Sequence, residues 1–169
     1  MLKAIGVALV VLGAAGFGFH KGFTFYKQLR QLRSLTAAIE ILKCELNYTL
    51  YPLSKLCAIT AQRSDGAVSS FFQHFHLELE QGVPRARAAA NAMDATSGLV
   101  LPKDAAMALL ELCGDIGKYD MDGENRLLQL TQHRIDACLQ RCETERRPLV
   151  KSYAVLGLCA GVAVVILLV

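Results

Sequence analysis

The chain has 169 residues, of which 53% are apolar, a formal net charge of +3 and no tryptophan. That length suits one domain, and the apolar share exceeds that of an ordinary soluble domain. So small a positive charge excludes a protein that holds nucleic acid through a broad basic surface.

The apolar excess sits at the ends. From Leu2 to Phe19 the only charge is Lys3, and from Tyr153 to Val169 there is none. Each stretch is about as long as a bilayer core requires, which predicts transmembrane helices over 1–22 and 153–169. A secretory signal is the alternative at the N-terminus, with Lys3 as its charged start and Ala14, Ala15, Gly16 and Gly18 as small residues. Phe19-His20-Lys21-Gly22-Phe23 follows with no small-x-small site, so a retained span fits better. Lys21, Lys27, Arg30 and Arg33 follow the first span and Arg141, Arg146, Arg147 and Lys151 precede the second. Cations resist translocation, so the middle, 23–152, is expected in the cytoplasm with both termini on the opposite side.

Within the middle, Leu29, Leu32, Leu35, Ile39, Leu42, Leu46 and Leu50 recur at three- and four-residue steps, with Gln28, Arg30, Gln31, Arg33 and Lys43 between them. This is the pattern of one long amphipathic helix. Pro52 biases Tyr51 away from helix, so a second helix runs from Leu53 to about Gln62, closed by Ser64-Asp65-Gly66. A third covers Val68 to Glu80, with Val68, Phe71, Phe72, Phe75 and Leu79 on its apolar face and Gln81-Gly82 at its end. Pro84 suits the first turn of an Ala-rich fourth helix to Ala95. Thr96-Ser97-Gly98 breaks it, and Pro102 opens a fifth to about Gly117, with Ala106, Leu109, Leu110, Cys113 and Ile116 inward. Gly117 to Gly123 turns the chain into a sixth helix through Leu127, Leu128, Ile135, Cys138 and Cys142, and Pro148 predicts a kink before the second span. The expected fold is an all-α six-helix cytoplasmic bundle flanked by the two spans.

Few residues suggest chemistry. His74 and His76 lie two apart, about 200 degrees around a helix, and so cannot share an ion; a solvated face explains them. Cys138 and Cys142 share a face but lack further ligands. With Cys44, Cys57, Cys113 and Cys159 they read as small core residues, kept reduced in a cytoplasm. Asp115, Asp120, Asp122 and Glu124 cluster at one turn and could bind a divalent cation, but the calcium-loop spacing is absent and helix capping by Asp120 or Asp122 fits better. No catalytic order of residues or phosphate loop is recognisable, so neither an enzyme nor a cofactor or metal site is expected. In the spans, Gly18 and Gly22, and Gly157 and Gly161, step by four as in helices that pack closely, although glycine is frequent in membrane helices generally.

Arg30-Gln31-Leu32-Arg33, followed by Leu35, Ile39, Leu42, Glu45, Tyr48 and Pro52-Leu53, resembles the most specific stretch of the stage III sporulation protein AB family of endospore-forming bacteria. Phe75, Gly82 and the Ala-rich fourth helix resemble its middle. Gly117-Lys118-Tyr119-Asp120 is similar to its turn, and Tyr153, Leu156-Gly157 and Ile166-Leu167-Leu168 to its closing span. Cys113 replaces a usual glycine, and Glu124 or Asn125 a usual glutamine. The resemblance implies a cytoplasmic domain similar to that of the type II secretion F and pilus inner-membrane platform proteins. It also implies a place in the channel complex between mother cell and forespore, in the mother-cell membrane, with a secretion-type ATPase as partner.

Either route makes the helical surface the working part. The candidate contact residues are Arg30, Arg33, Glu40, Glu45, Tyr48 and Pro52, with Gly117 and Asp120 in the turn. Arg30 and Arg33 fit anchoring to anionic headgroups equally well, and Glu45 and Tyr48 fit an internal polar contact. A small transport or channel subunit is a competing reading, for which the spans offer almost no polar groups. A membrane-tethered enzyme is a third, which would need a pocket with perturbed ionisable groups.

Overall fold

The computed structural model describes residues 26–48 and 51–146. Among them are six α-helices: α1 over 26–48, α2 Leu53–Arg63, α3 Gly66–Glu80, α4 Arg85–Ala95, α5 Lys103–Asp115 and α6 Met121–Arg141. A π-helical turn, Cys142–Arg146, follows. No helix of the described residues is long and apolar enough to cross a membrane. The two expected spans, their glycines 18, 22, 157 and 161, Cys159 and the kink expected at Pro148 all lie outside the described residues. Residues Gln28–Leu139 form one compact unit, to which the following applies.

Apolar periodicity fixes how the helices lie. On α1 it places Leu32, Leu35, Ala38, Ile39 and Leu42 on one face, all essentially without solvent contact. Phe71, Phe72 and Phe75 fill the bundle from α3; Phe71 meets Phe72 edge-on at 5.3 Å and stacks with Phe75 at 6.2 Å between ring centroids. Aromatic pairs favour these offsets because ring edges and faces carry opposite charge. Ala88, Ala89 and Ala92 let α4 lie close to its neighbours.

Paired side chains set the directions. Thr36 donates to Asp136 at 3.2 Å and Asn47 exchanges amide hydrogen bonds with Asn125 at 2.9 Å, so a step forward along α1 is matched by an equal step back along α6. The same reversal relates α2 to α3, through His76 on the Ser54 carbonyl and Ser69 on the Ala61 carbonyl. It relates α4 to α5 as well, through Arg85 on the Ile116 carbonyl and Gly114 against Ala86. One end of the unit, here the tip, therefore gathers the α1–α2, α3–α4 and α5–α6 connections. The other, the base, holds the start of α1, the end of α6 and the two remaining loops.

α1 ties those loops down. Gln31 is buried, donates to the Gly98 carbonyl at 2.7 Å and accepts from Val100 N–H at 2.7 Å, while Ser34 reaches the Asp65 carbonyl at 3.4 Å. A polar gap in the apolar stripe would place Gln31 on the outer face. It lies inside because the α4–α5 loop has a carbonyl and an amide to satisfy, and one carboxamide serves both.

Other expectations shift by a residue or two. Pro84 and Pro102 are N-caps at φ −56 and −57, not first-turn residues; a proline in extended backbone still sends its carbonyl into the helix, to Ala88 N–H and Ala106 N–H. α3 begins at Gly66 and α6 at Met121, each immediately after an aspartate at its N-terminus. On α5 the buried face is Ala105, Ala108, Leu109, Leu112 and Cys113, whereas Ala106 and Leu110 are only half-buried. Cys44 is exposed, although Cys57, Cys113, Cys138 and Cys142 are buried, and none of these five is in a disulfide. His74 is exposed as expected, but His76 is half-buried and engaged.

Leu35→Ala should lower stability by about 2–5 kcal/mol in urea unfolding of the full chain, because it empties a fully enclosed site, whereas exposed Leu77→Ala should change it by less than about 0.5 kcal/mol. Burial pushes the Cys57 thiol up from its ordinary 9.0 to about 12, and burial, with Cys57 nearby, pushes Cys113 well up. The thiolate is the reactive form, so alkylation of the native chain at neutral pH followed by peptide mass mapping should mark Cys44 and leave Cys57 and Cys113 unmodified until denaturant is added. The unfolded chain loses these protons near pH 9 while the folded one keeps them. Stability should therefore fall as pH rises above 9, by about 1.4 kcal/mol per pH unit for each thiol.

Candidate functional site

The tip is built around the short connection from α5 to α6. α5 stops at Asp115, Ile116 turns extended and Gly117 takes φ +82. Side chains rarely adopt that backbone, and a Cβ at Gly117 would in any case lie 2.7 Å from Arg85 Nη1. Lys118 N–H closes the turn on the Asp115 carbonyl at 3.1 Å. Asp120 then starts α6: its backbone carbonyl accepts from Glu124 N–H at 2.9 Å and its Oδ1 from Gly123 N–H at 3.1 Å. This is the capping role expected for it, since the first amides of a helix have no partner within the helix.

Glu124 closes the connection from below. Its side chain folds back so that Oε1 accepts from Gly117 N–H at 2.7 Å and from Tyr119 N–H at 3.0 Å, and the residue is only 4% exposed. Oε2 is also buried and has no hydrogen-bond partner among the described residues. On the opposite side Arg85, the first residue of α4, donates from Nη1 to the Ile116 carbonyl at 2.9 Å. The Ile116–Gly117 peptide is thus held at its carbonyl by a cation and at its N–H by a carboxylate. The Lys118–Asp115 pair, 2.7 Å apart and half-exposed, adds little in water.

Around this connection stand exposed aromatic and apolar side chains. Tyr48 at the end of α1 is 84% exposed, Tyr51 42%, Tyr119 54% and Met121 42%. Lys55 sits over the Tyr51 ring, its Nζ 3.9 Å from the centroid. The pairing of Asn47 with Asn125 brings the α1 end beside the start of α6, so these residues belong to one end of the unit although they are far apart in the chain.

The candidate residues therefore divide. Tyr48, Pro52, Gly117 and Asp120 meet at the tip. Arg30 and Arg33 are exposed near the base; Arg30 and Tyr48 are separated by about 27 Å of helix at 1.5 Å per residue. Glu40 is exposed between them, and Glu45 is half-buried and paired with Arg63 at 2.6 Å. Of the two residues weighed as internal polar contacts, Glu45 pairs with Arg63 at the surface and Tyr48 is exposed. Tyr51, Tyr119, Met121, Arg85 and Gln31 escape a reading by spacing. Arg85 alone leaves a sequence signal, a cation where the helix dipole disfavours one.

Nothing in this arrangement resembles reacting groups, and among the described residues no three His, Cys, Asp or Glu side chains come together to hold a metal ion. The family model for stage III sporulation protein AB matches residues 3–169. Stage III sporulation protein AB of Bacillus subtilis (strain 168) is 25% identical over 173 residues, covering 99% of both chains. A solved structure of stage III sporulation protein AB shares the fold, with a TM-score of 0.65 and 22% identity over 72% of this chain and 98% of that one. With a match over nearly its whole length and its helices in the same bundle, the chain belongs to the stage III sporulation protein AB family.

Proposed function

We propose that this chain is a platform component of the channel joining mother cell and forespore, and that it docks the complex's secretion-type ATPase through the tip. Family membership supplies the coarser part: a structural, membrane-associated role in sporulation within a larger channel complex. The docking end is our own reading, carried by one observation. Tyr48, Tyr51, Tyr119 and Met121 stand exposed at the end of the unit that is remote from where the chain enters α1 and leaves α6. Exposed aromatic clusters supply the central contacts of protein interfaces because they bury much area at small entropic cost.

The proposed topology goes with it. Helices over 1–22 and 153–169 anchor the chain in the mother-cell membrane, the cations that flank them keep the middle in the cytoplasm, and Gly18, Gly22, Gly157 and Gly161 allow close packing of the spans. Arg30 and Arg33, exposed near the base, then suit anionic headgroups, and the tip remains for the partner.

Tyr48→Ala and Tyr119→Ala remove exposed rings and should leave the unfolding midpoint unchanged. Each should weaken site-specific crosslinking to the ATPase by about tenfold or more, the effect of losing a central interface contact, and arrest sporulation after engulfment. Normal spore yield with undiminished crosslinking from both variants would sink the docking surface proposed here.

A further inference from the structure

We propose that Arg85 and Glu124 are positioning residues that hold the Gly117–Asp120 turn in the shape in which it meets its protein partner; this rests on the reading of the tip as a docking surface. Three local choices that each carry a cost converge on the Ile116–Gly117 peptide. Arg85 puts a cation at the N-terminal end of α4, where no first-turn acid or side-chain cap offsets it and the helix dipole opposes it. Glu124 places a carboxylate at 4% exposure with one oxygen unpartnered among the described residues, although buried polar atoms are costly to leave unpaired. Gly117 adopts φ +82 with the Arg85 guanidinium in the space a Cβ would need. A glycine alone suffices to end a helix and reverse the chain, so joining α5 to α6 does not require the other two.

What the three achieve together is a peptide polarised from both sides. The guanidinium draws on the carbonyl at 2.9 Å and the carboxylate on the N–H at 2.7 Å. Hydrogen bonds to charged groups are the stronger kind, and bonds linked through one amide strengthen each other. The same carboxylate holds Tyr119 N–H, and Asp120 holds the next turn of backbone. The exposed Tyr119 ring is therefore presented from backbone fixed on both sides, and docking need not order it first.

The test uses the full chain, with amide hydrogen exchange at Gly117 and Tyr119 as one readout and photo-crosslinking to the ATPase from position 122, exposed at the same end, in sporulating cells as the other. Glu124→Gln keeps an acceptor but removes the charge, and should speed exchange at Gly117 and Tyr119 by about tenfold or more, the loss expected when a charge leaves a hydrogen bond. Arg85→Ala should speed exchange at Gly117 although it touches only the far side of that peptide, Arg85→Lys should restore most of the protection, and Lys118→Ala should change neither amide. Crosslinking should fall in Glu124→Gln and Arg85→Ala and recover in Arg85→Lys. Unchanged exchange in Glu124→Gln and Arg85→Ala would overturn the grip, and faster exchange with unchanged crosslinking would overturn its role in docking. Crosslinking that is absent already in the unsubstituted chain would overturn the tip as docking surface, while the exchange rates would still decide the grip.

Discussion

The bundle depends on α1. Its inner face, Leu32, Leu35, Ala38, Ile39 and Leu42, is enclosed, and its polar side chains reach almost every other part of the unit. Gln31 holds the α4–α5 loop, Ser34 the α2–α3 turn, Glu45 the end of α2, and Thr36 and Asn47 the length of α6. Helices 11–15 residues long, such as α2 to α5, are marginal alone, because helix nucleation is unfavourable and stability must come from packing. A single long helix with one enclosed apolar face, whose polar side chains fix two of the loops, the end of α2 and the length of α6, contributes to that packing.

The two ends of the unit are then treated differently. At the base, loop amides and carbonyls are satisfied by α1 from inside, and buried Thr60 and Thr96, near the ends of α2 and α4, satisfy their own hydroxyls on carbonyls four residues back, as Thr131 does midway along α6. At the tip the Ile116–Gly117 peptide is satisfied instead by charges, Arg85 from α4 and Glu124 from α6, and the large side chains are left outside. Exposed apolar surface is ordinary when scattered. Three tyrosines and a methionine gathered at the junction of α1, α2 and α6 have the composition of interface cores.

How much of this the sequence discloses follows from what each feature rests on. Helix number and order rest on local periodicity and punctuation, so Pro52, Gly82 and Gly98 divide the chain in the right places. Starts shift by one to three residues because an N-cap and a first turn have nearly the same composition, as at Pro84, Asp120 and Gly66. Faces are less legible: α5 is so rich in Ala, Leu and Met that two stripes a residue apart look alike, and the structure takes the one containing Ala105, Ala108 and Leu112. Gln31 and His76 go astray for a common reason. Whether a polar residue is inside depends on a carbonyl contributed from 67 residues away for Gln31 or 22 for His76, which no window of the sequence contains. The tip is of that kind altogether, since Tyr48 and Tyr119 come to the same end of the unit only through the antiparallel register of α1 and α6.

The same register explains why the family's most specific stretch need not mark a single contact surface. Arg30-Gln31-Leu32-Arg33 combines a residue that holds a loop, a residue of the enclosed stripe and two exposed cations within one helical turn. Tyr48 and Pro52 stand at the other end of the same helix, where the chain reverses. A strut that must pin the base at one end and deliver the tip at the other constrains sequence along its whole length. Resemblance in α1 is therefore first a statement about the bundle, and the proposed docking role rests on the connections that α1 brings together, not on α1 alone.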